Sequence, residues 1–299
     1  MTLQLQGLTR EIGNAPIVTR FAPSPTGLLH MGHAYAAWVA REVAQQSTKG
    51  RFLLRFEDID TPRVKAPYYD AIETDLKWLG LSWDDTPLRQ STRSEAYQFA
   101  LAQLKSIGAI YPCFCTRSEI LAETARIPSA PHGPDGPPYP GTCRALNTAE
   151  QQEKIDAGIV HSWRLDSALA SKISGPLDFT DLRFGQTRVD PSLLCDVILA
   201  RKDIGPAYHL AVVVDDAFQG ITHVTRGEDL LHSTHVHRLL QDMLKLPAPI
   251  YLHHPLVTDE NGKRLAKRAD SQSIASLREA GKSQQEIFAL IEHALGNIA

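Results

Sequence analysis

The chain has 299 residues, 43% of them hydrophobic and 22% charged, the balance of a folded globular protein and not of a disordered or collagen-like one. Thirty-one Lys plus Arg against thirty-four Asp plus Glu leave a net charge of −3, which excludes a generally basic, sequence-blind nucleic-acid binder. Four cysteines are too few for a disulfide scaffold, and neither a transmembrane run nor a signal-peptide pattern occurs, so a cytoplasmic protein with no membrane partner is expected.

After a loose leader over residues 1–16, residues 17–21 read as a short strand, broken by Pro23, Pro25 and Gly27. The run from Gly32 to Arg41 is rich in helix formers. Residues 51–56 form a second strand after Gly50, and the acidic run Glu57-Asp58-Ile59-Asp60 follows it. Strand, helix and strand in this order make a βαβ unit, which predicts a parallel sheet. Helices are expected over 68–79 and 95–107, closed by Gly80 and Gly108. Residues 111–146 hold three cysteines and a stretch dense in proline and glycine, the mark of an irregular insertion. Asn147 and Glu150 form a capping box for a helix that stops at Gly158. Cys195, beside Leu193 and Leu194, reads as an inert core thiol. Strands are expected over 211–214 and 221–224, and a helix over 233–245 with His232, His235 and His237 as ordinary helix residues. A polar, basic loop over 258–268 precedes a last amphipathic helix carrying Ile287, Phe288, Ile291 and Leu295 on one face.

Two constellations carry chemistry by themselves. The string from Pro23 to His33 sits at a strand-to-helix junction. Gly27 and Gly32 permit close backbone approach, the helix start offers N–H groups, and His30 and His33 can donate to phosphate oxygens. The plain alternative is a turn with two surface histidines. Cys113, Cys115 and Cys143 point to a structural zinc site; spacing leaves the fourth ligand open, with His132 the chemically common choice.

The string His30-Met31-Gly32-His33 resembles the HIGH signature of class I aminoacyl-tRNA synthetases. The blocks at 20–27, 55–63, 208–216 and 223–229 resemble the glutamyl branch in particular, and the matches run in order from about residue 17 to residue 268. Lys263 to Arg268 resembles the KMSKS loop, with Arg264 in place of the usual first lysine and Ala266 in place of the serine. The resemblance implies a Rossmann-type α/β catalytic core with a zinc-bearing insertion and a short helical C-terminal stem. It implies catalytic roles for His30, His33 and Lys267, and ATP contacts from His30, Gly32, His33 and Lys267. Glutamate contacts fall on Arg20, Ala22, Ser24, Glu57, Tyr208 and Arg226. A side-chain carboxylate calls for arginine, and Glu57 can hold the ammonium. Magnesium is expected with ATP, without a dedicated site in the sequence. The Tyr139-x₃-Cys143 element resembles that of a short glutamyl subfamily, so zinc is assigned to Cys113, Cys115, Tyr139 and Cys143, with His132 as the alternative.

The expected organisation is a first Rossmann half over 1–110, a zinc-bearing, acceptor-type subdomain over 111–195, a second half over 196–245, and the KMSKS-type loop with its stem over 246–299. Only residues 269–299 follow the loop, too few for a helical anticodon-binding region. That pattern resembles the glutamyl-queuosine tRNA(Asp) synthetases, which activate glutamate without tRNA and transfer it to queuosine in the anticodon loop of tRNA(Asp). A monomer is expected, with any RNA face a local basic patch around Arg117, Arg201, Lys202 or Arg268. The alternatives are a truncated glutamyl-tRNA synthetase charging a tRNA 3′ end, a non-catalytic RNA-binding paralogue, and a zinc-dependent RNA-binding module.

Overall fold

The computed structural model describes residues 16–124, 139–202, 205–257 and 273–296. Strand β1 (Val18–Phe21), helix α1 (Met31–Ala44) and strand β2 (Arg51–Phe56) form the expected βαβ unit, with β1 and β2 parallel and Val18 opposite Arg51. Helix α1 is buried on most of its circumference, and its small residues Ala34, Ala37 and Ala40 let it lie close to the sheet. Helix α2 (Pro67–Trp78) starts with a proline, whose missing N–H costs nothing there, and leads to β3 (Asp84–Arg89), parallel to β2. Helix α3 (Ser94–Ser106) follows.

The middle of the chain holds β4 (Ile110–Cys113), α4 (Arg117–Thr124), α5 (Thr148–Asp156), β5 (Ser162–Leu165), α6 (Ser167–Ser174), β6 (Asp178–Asp181), β7 (Gly185–Arg188), β8 (Ile198–Arg201) and β9 (Gly205–Pro206). The capping box of α5 is present: Glu150 N–H donates to Asn147 Oδ1 at 3.0 Å, and Asn147 N–H to Glu150 Oε2 at 2.8 Å. Strands β4, β5, β8 and β9 make an antiparallel sheet. The β6–β7 hairpin belongs instead with the later strands.

The last part comprises α7 (Tyr208–Phe218), β10 (His223–Gly227), α8 (Leu231–Met243), β11 (Ile250–His254), α9 (Ile274–Glu279) and α10 (Gln284–Gly296). Strands β10 and β11 are parallel, and β6 joins the far side of β11. Just before β10, Thr222 N–H donates to the Val18 carbonyl (3.0 Å) and Val18 N–H donates to Thr222 Oγ1 (2.8 Å). The all-parallel sheet of β1, β2 and β3 and the mixed sheet of β10, β11, β6 and β7 therefore abut along β1 and β10. Both faces are covered, as parallel sheets require. Phe52, Leu54 and Phe56 pack into one core with α1, α2, α9 and α10, while Leu53 turns to the other face with Val18, Val224 and Tyr251. Ile287, Phe288 and Ile291 of α10 are buried in the first core and Leu295 packs against it, as their spacing predicts.

Two sequence expectations are corrected. Residues 211–214 are not a strand but the middle of α7. Leu210, Ala211, Val212 and Val213 are all buried, so the apolar run shows no helical stripe, and a buried helix then reads like a buried strand. Cys195 is exposed and is not a core thiol. It lies between the turn at 191–193 and β8, where the chain crosses the surface.

Candidate active site

Helix α1 begins in a histidine cap. Gly32 N–H donates to His30 Nδ1 at 3.1 Å, and His30 N–H donates to His33 Nδ1 at 3.3 Å. The two rings stack with centroids 3.8 Å apart and 28° between planes. Because both Nδ1 atoms accept from backbone N–H groups, both rings carry their proton on Nε2. Gly32 has little spare room: a Cβ there would lie 3.1 Å from His30 Cε1. The preceding proline loop is tied down by bonds from Glu57 N–H to the Pro23 carbonyl (3.0 Å) and from Lys65 N–H to the Pro25 carbonyl (3.1 Å). The chain returns to this turn from the other side, where Ser273 pairs with His30 and Ile274 N–H donates to the Leu29 carbonyl at 2.8 Å. Lys267, with Arg264 and Ala266, lies outside the described residues.

Two cavities meet beside the turn. The larger, about 350 Å³, is lined by Ala22, Ser24, Thr26 and His33 among others. The smaller, about 120 Å³, is lined by Ser24, Glu57, Gln90, Arg201 and Tyr208 among others. Ser24, Asp60 and Arg63 belong to both walls, so the cavities are neighbours. Five of the expected ligand-binding residues are thus brought together: Ala22, Ser24 and His33 around the larger space, Glu57 and Tyr208 around the smaller, with Ser24 shared.

Arg20 and Arg226 form part of neither wall; both are buried. Arg20 donates from Nε to Asp216 Oδ1 (2.9 Å), from Nη2 to Asp216 Oδ2 (3.4 Å) and from Nη1 to the Thr225 carbonyl (3.1 Å). Arg55, fully buried in β2, donates to Asp216 Oδ1 at 2.6 Å and to Glu57 Oε1 at 3.3 Å. The sequence reading missed both Arg55 and Asp216. Their signal was an arginine inside the apolar strand and an aspartate on the apolar face of α7. Burial alone would raise the Asp216 pKa, but Arg20 and Arg55 outweigh it and hold the carboxyl below its usual range. For Glu57 the balance reverses: burial pushes it up, and the longer contact with Arg55 and the charge of Arg20 offset this only in part.

Arg226 sits in a different setting. It donates from Nε to His253 Nε2 (3.0 Å), from Nη1 to His237 Nδ1 (3.0 Å) and from Nη2 to Thr234 Oγ1 (2.5 Å). His253 then places its own proton on Nδ1, toward Asp181 Oδ2 at 2.6 Å. Burial pushes the Tyr208 phenol up, and Arg226 is the strongest charge opposing that shift.

The cysteines form a separate cluster at the end of β4. The sulfurs of Cys113, Cys115 and Cys143 lie within 4.8 Å of one another, with Cys115 and Cys143 3.4 Å apart. Tyr139 joins them: its hydroxyl is 3.5 Å from Cys115 Sγ and accepts from Cys143 N–H at 2.9 Å. These three thiols could hold a metal ion. Burial opposes ionisation of Cys143, but hydrogen bonds from Tyr139 and from Phe114 N–H, the latter 3.4 Å from the sulfur, bring its thiol below the ordinary value. His132 lies outside the described residues. Behind the cluster, Asp196 accepts from Tyr111 (2.6 Å), Arg144 (2.9 Å) and the Ser167 hydroxyl (2.7 Å), bracing the segment against β4 and α6.

No helix among the described residues is long and apolar enough to cross a membrane. Residues 16–294 match the family of class I tRNA synthetase (E and Q) catalytic domains. The chain is 44% identical over 280 residues to a glutamyl-Q tRNA(Asp) synthetase of Rhodobacter capsulatus, covering 92% of this chain and 99% of that one. It is 42% identical to a glutamyl-Q tRNA(Asp) synthetase of Symbiobacterium thermophilum, covering 93% of this chain and 86% of that one. Among solved structures it resembles a glutamate-tRNA synthetase of Elizabethkingia anophelis, with a TM-score of 0.70 and 27% identity, covering 90% of this chain but only 54% of that longer one. The chain therefore belongs to the class I tRNA synthetases of the E and Q type, within the group of glutamyl-Q tRNA(Asp) synthetases.

Proposed function

We propose that this protein activates glutamate with ATP in the absence of tRNA and transfers it to the queuosine base of tRNA(Asp). The observation that carries the reading is the placing of Glu57 and Tyr208 beside the stacked histidine turn, in a chain that aligns along nearly the whole length of a glutamyl-Q tRNA(Asp) synthetase. ATP would lie in the larger cavity with its phosphates against Gly32, His30 and His33, and glutamate in the smaller one. The α-carboxylate of glutamate attacks the α-phosphorus in line, the P–O bond to pyrophosphate breaks, and glutamyl-adenylate forms. Donors on imidazole Nε2 stabilise the charge that develops on phosphate oxygens, so catalysis is positioning and electrostatics and needs no protein nucleophile. Lys267 would add a cation as pyrophosphate leaves, and magnesium would accompany ATP. A queuosine hydroxyl then attacks the activated carbonyl and AMP departs.

The substrate's ammonium falls to Glu57, and its side-chain carboxylate to the arginines. Arg20 is committed to Asp216 through Nε and Nη2 and to the Thr225 carbonyl through Nη1, so Arg226 is the stronger candidate for the carboxylate. The cysteine cluster fits zinc: four ligands at about 2.3 Å in a tetrahedron put sulfurs roughly 3.8 Å apart, close to the spacing of these thiols. Cys113, Cys115, Cys143 and Tyr139 would hold it, and the ion would cross-link β4 to the segment before α5.

Glutamate-dependent ATP–pyrophosphate exchange without tRNA tests the reading, with aspartate and glutamine as controls. Exchange with glutamate alone is the expected result. Exchange that appears only when a glutamate tRNA is added would favour a charging enzyme. No exchange under either condition would favour a non-catalytic relative.

A further inference from the structure

The buried arginines around the site are of two kinds. Arg20 and Arg55 each have a carboxylate in Asp216. Arg226 does not: among the described residues its hydrogen-bond partners are two imidazoles and a hydroxyl. A guanidinium held by neutral acceptors keeps its charge for an incoming carboxylate, and those acceptors, with the Tyr251 ring centroid 5.3 Å from the guanidinium carbon, set where it points.

His237 joins this arginine to the chamber wall. A guanidinium offers no acceptor, so His237 Nδ1 must accept from Arg226, which leaves the ring proton on Nε2. That atom faces His209 Nδ1 at 3.1 Å, so a second histidine fixes the tautomer. The same ring packs against Tyr208, with centroids 5.6 Å apart and planes at 61°. Tyr208 in turn lines the smaller cavity. Burial, followed by the charge of Arg226, holds His237 well below its ordinary value, in keeping with the tautomer that the hydrogen bonds demand.

We infer that His237 is a positioning residue for glutamate recognition: its ring, locked by His209 and seated on Tyr208, aims Arg226 at the side-chain carboxylate of the substrate. The inference rests on the reading of Arg226 as a glutamate contact. The test is ATP–pyrophosphate exchange at varied glutamate and varied ATP for Arg226→Gln, His237→Leu, His237→Asn and His209→Leu. His237→Leu removes the acceptor and should raise the glutamate KM roughly tenfold while the ATP KM stays within about twofold. In His237→Asn the amide oxygen can stand where Nδ1 stood, and most of the loss should be recovered. His209→Leu should raise the glutamate KM by about threefold with the ATP KM unmoved. An unchanged glutamate KM in His237→Leu overturns the inference. So does an equal rise in both KM values that the asparagine fails to rescue, since that marks a packing role alone. Should His237→Leu not fold, an unchanged glutamate KM in His209→Leu overturns it instead. If Arg226→Gln leaves the glutamate KM unchanged, the reading of Arg226 fails first and the inference with it. If Arg226→Gln raises it and His237→Leu does not, only the inference falls.

Discussion

Asp216→Asn isolates the charge that holds two buried arginines. Asp216 is itself buried, as are Arg20 and Arg55, and Arg55 already has one nitrogen, Nε, without a partner. Asparagine keeps the shape and one acceptor but removes the charge, and its amide would point N–H groups at an Arg20 donor 3.4 Å away. Among the described residues Arg55 would then keep Glu57 as its paired carboxylate, and Arg20 would keep only the Thr225 carbonyl besides the retained amide oxygen. Breaking a buried pair from one side costs about 3–5 kcal/mol, and the retained acceptor puts the expectation near the lower end, at about 3 kcal/mol. Urea unfolding at neutral pH would read this as a fall in midpoint of about 1 M or more with an unchanged slope. The pH dependence identifies the source. The Asp216 carboxyl is held below its ordinary value of 3.8 in the folded chain, because the two arginines outweigh burial. A depressed folded pKa gives stability that is present above the unfolded value and lost as pH falls through the folded one. The gap between parent and variant should therefore be constant from about pH 5 to 7 and shrink below about pH 4. A gap under about 1 kcal/mol at pH 7 would refute the reasoning. A gap as large at pH 3 as at pH 7 would also do so, by showing that charge is not its origin.

Gly32→Ala should separate activity from stability. The new Cβ would crowd His30 Cε1 at 3.1 Å and Nδ1 at 3.2 Å, tilting the ring out of its stack, while alanine favours the helix by about 1 kcal/mol. Adenylate formation should slow by about tenfold with no loss of melting temperature, and a fully active variant would remove His30 from the mechanism. Cys143→Ser should lower bound zinc, measured by elemental analysis, and lower the melting temperature with it; full zinc occupancy would show the ligand set to be wrong. Lys267→Ala, chosen on the sequence resemblance alone, should slow adenylate formation by at least about tenfold with the fold intact, and unchanged single-turnover rates would end that assignment.

What the sequence revealed and what it hid divide by distance along the chain. The histidine turn and the capping box at Asn147 are each written within a few consecutive residues, the βαβ unit within the single stretch from Val18 to Phe56, and each stands where those residues predict. The face of α10 was legible for the same reason, since its spacing alone shows which side is buried. The run Val212-Val213-Val214 misled because a helix buried on most sides loses the periodicity that identifies it. Cys195 misled because two flanking leucines say nothing of a surface crossing.

The arginines hold the deeper reason. Arg20 and Arg226 look alike in sequence: each lies in a parallel strand, and each resembles a substrate contact. Their partners lie far off in the chain, Asp216 for the one and His237 and His253 for the other. Nothing local distinguishes an arginine whose charge is already matched from one whose charge is left over. Yet the distinction decides what each can do. A guanidinium paired with a carboxylate on two nitrogens has little attraction left for a second anion, whereas one held by imidazoles and a hydroxyl retains it. The fold resolves the ambiguity by bringing Asp216 from α7 to Arg20 and the histidines of α8 and β11 to Arg226. On the proposed reading the two kinds divide the work: Asp216 ties Arg20 of β1 and Arg55 of β2 to α7, and the cation of Arg226, held by neutral groups, is left for the substrate's carboxylate.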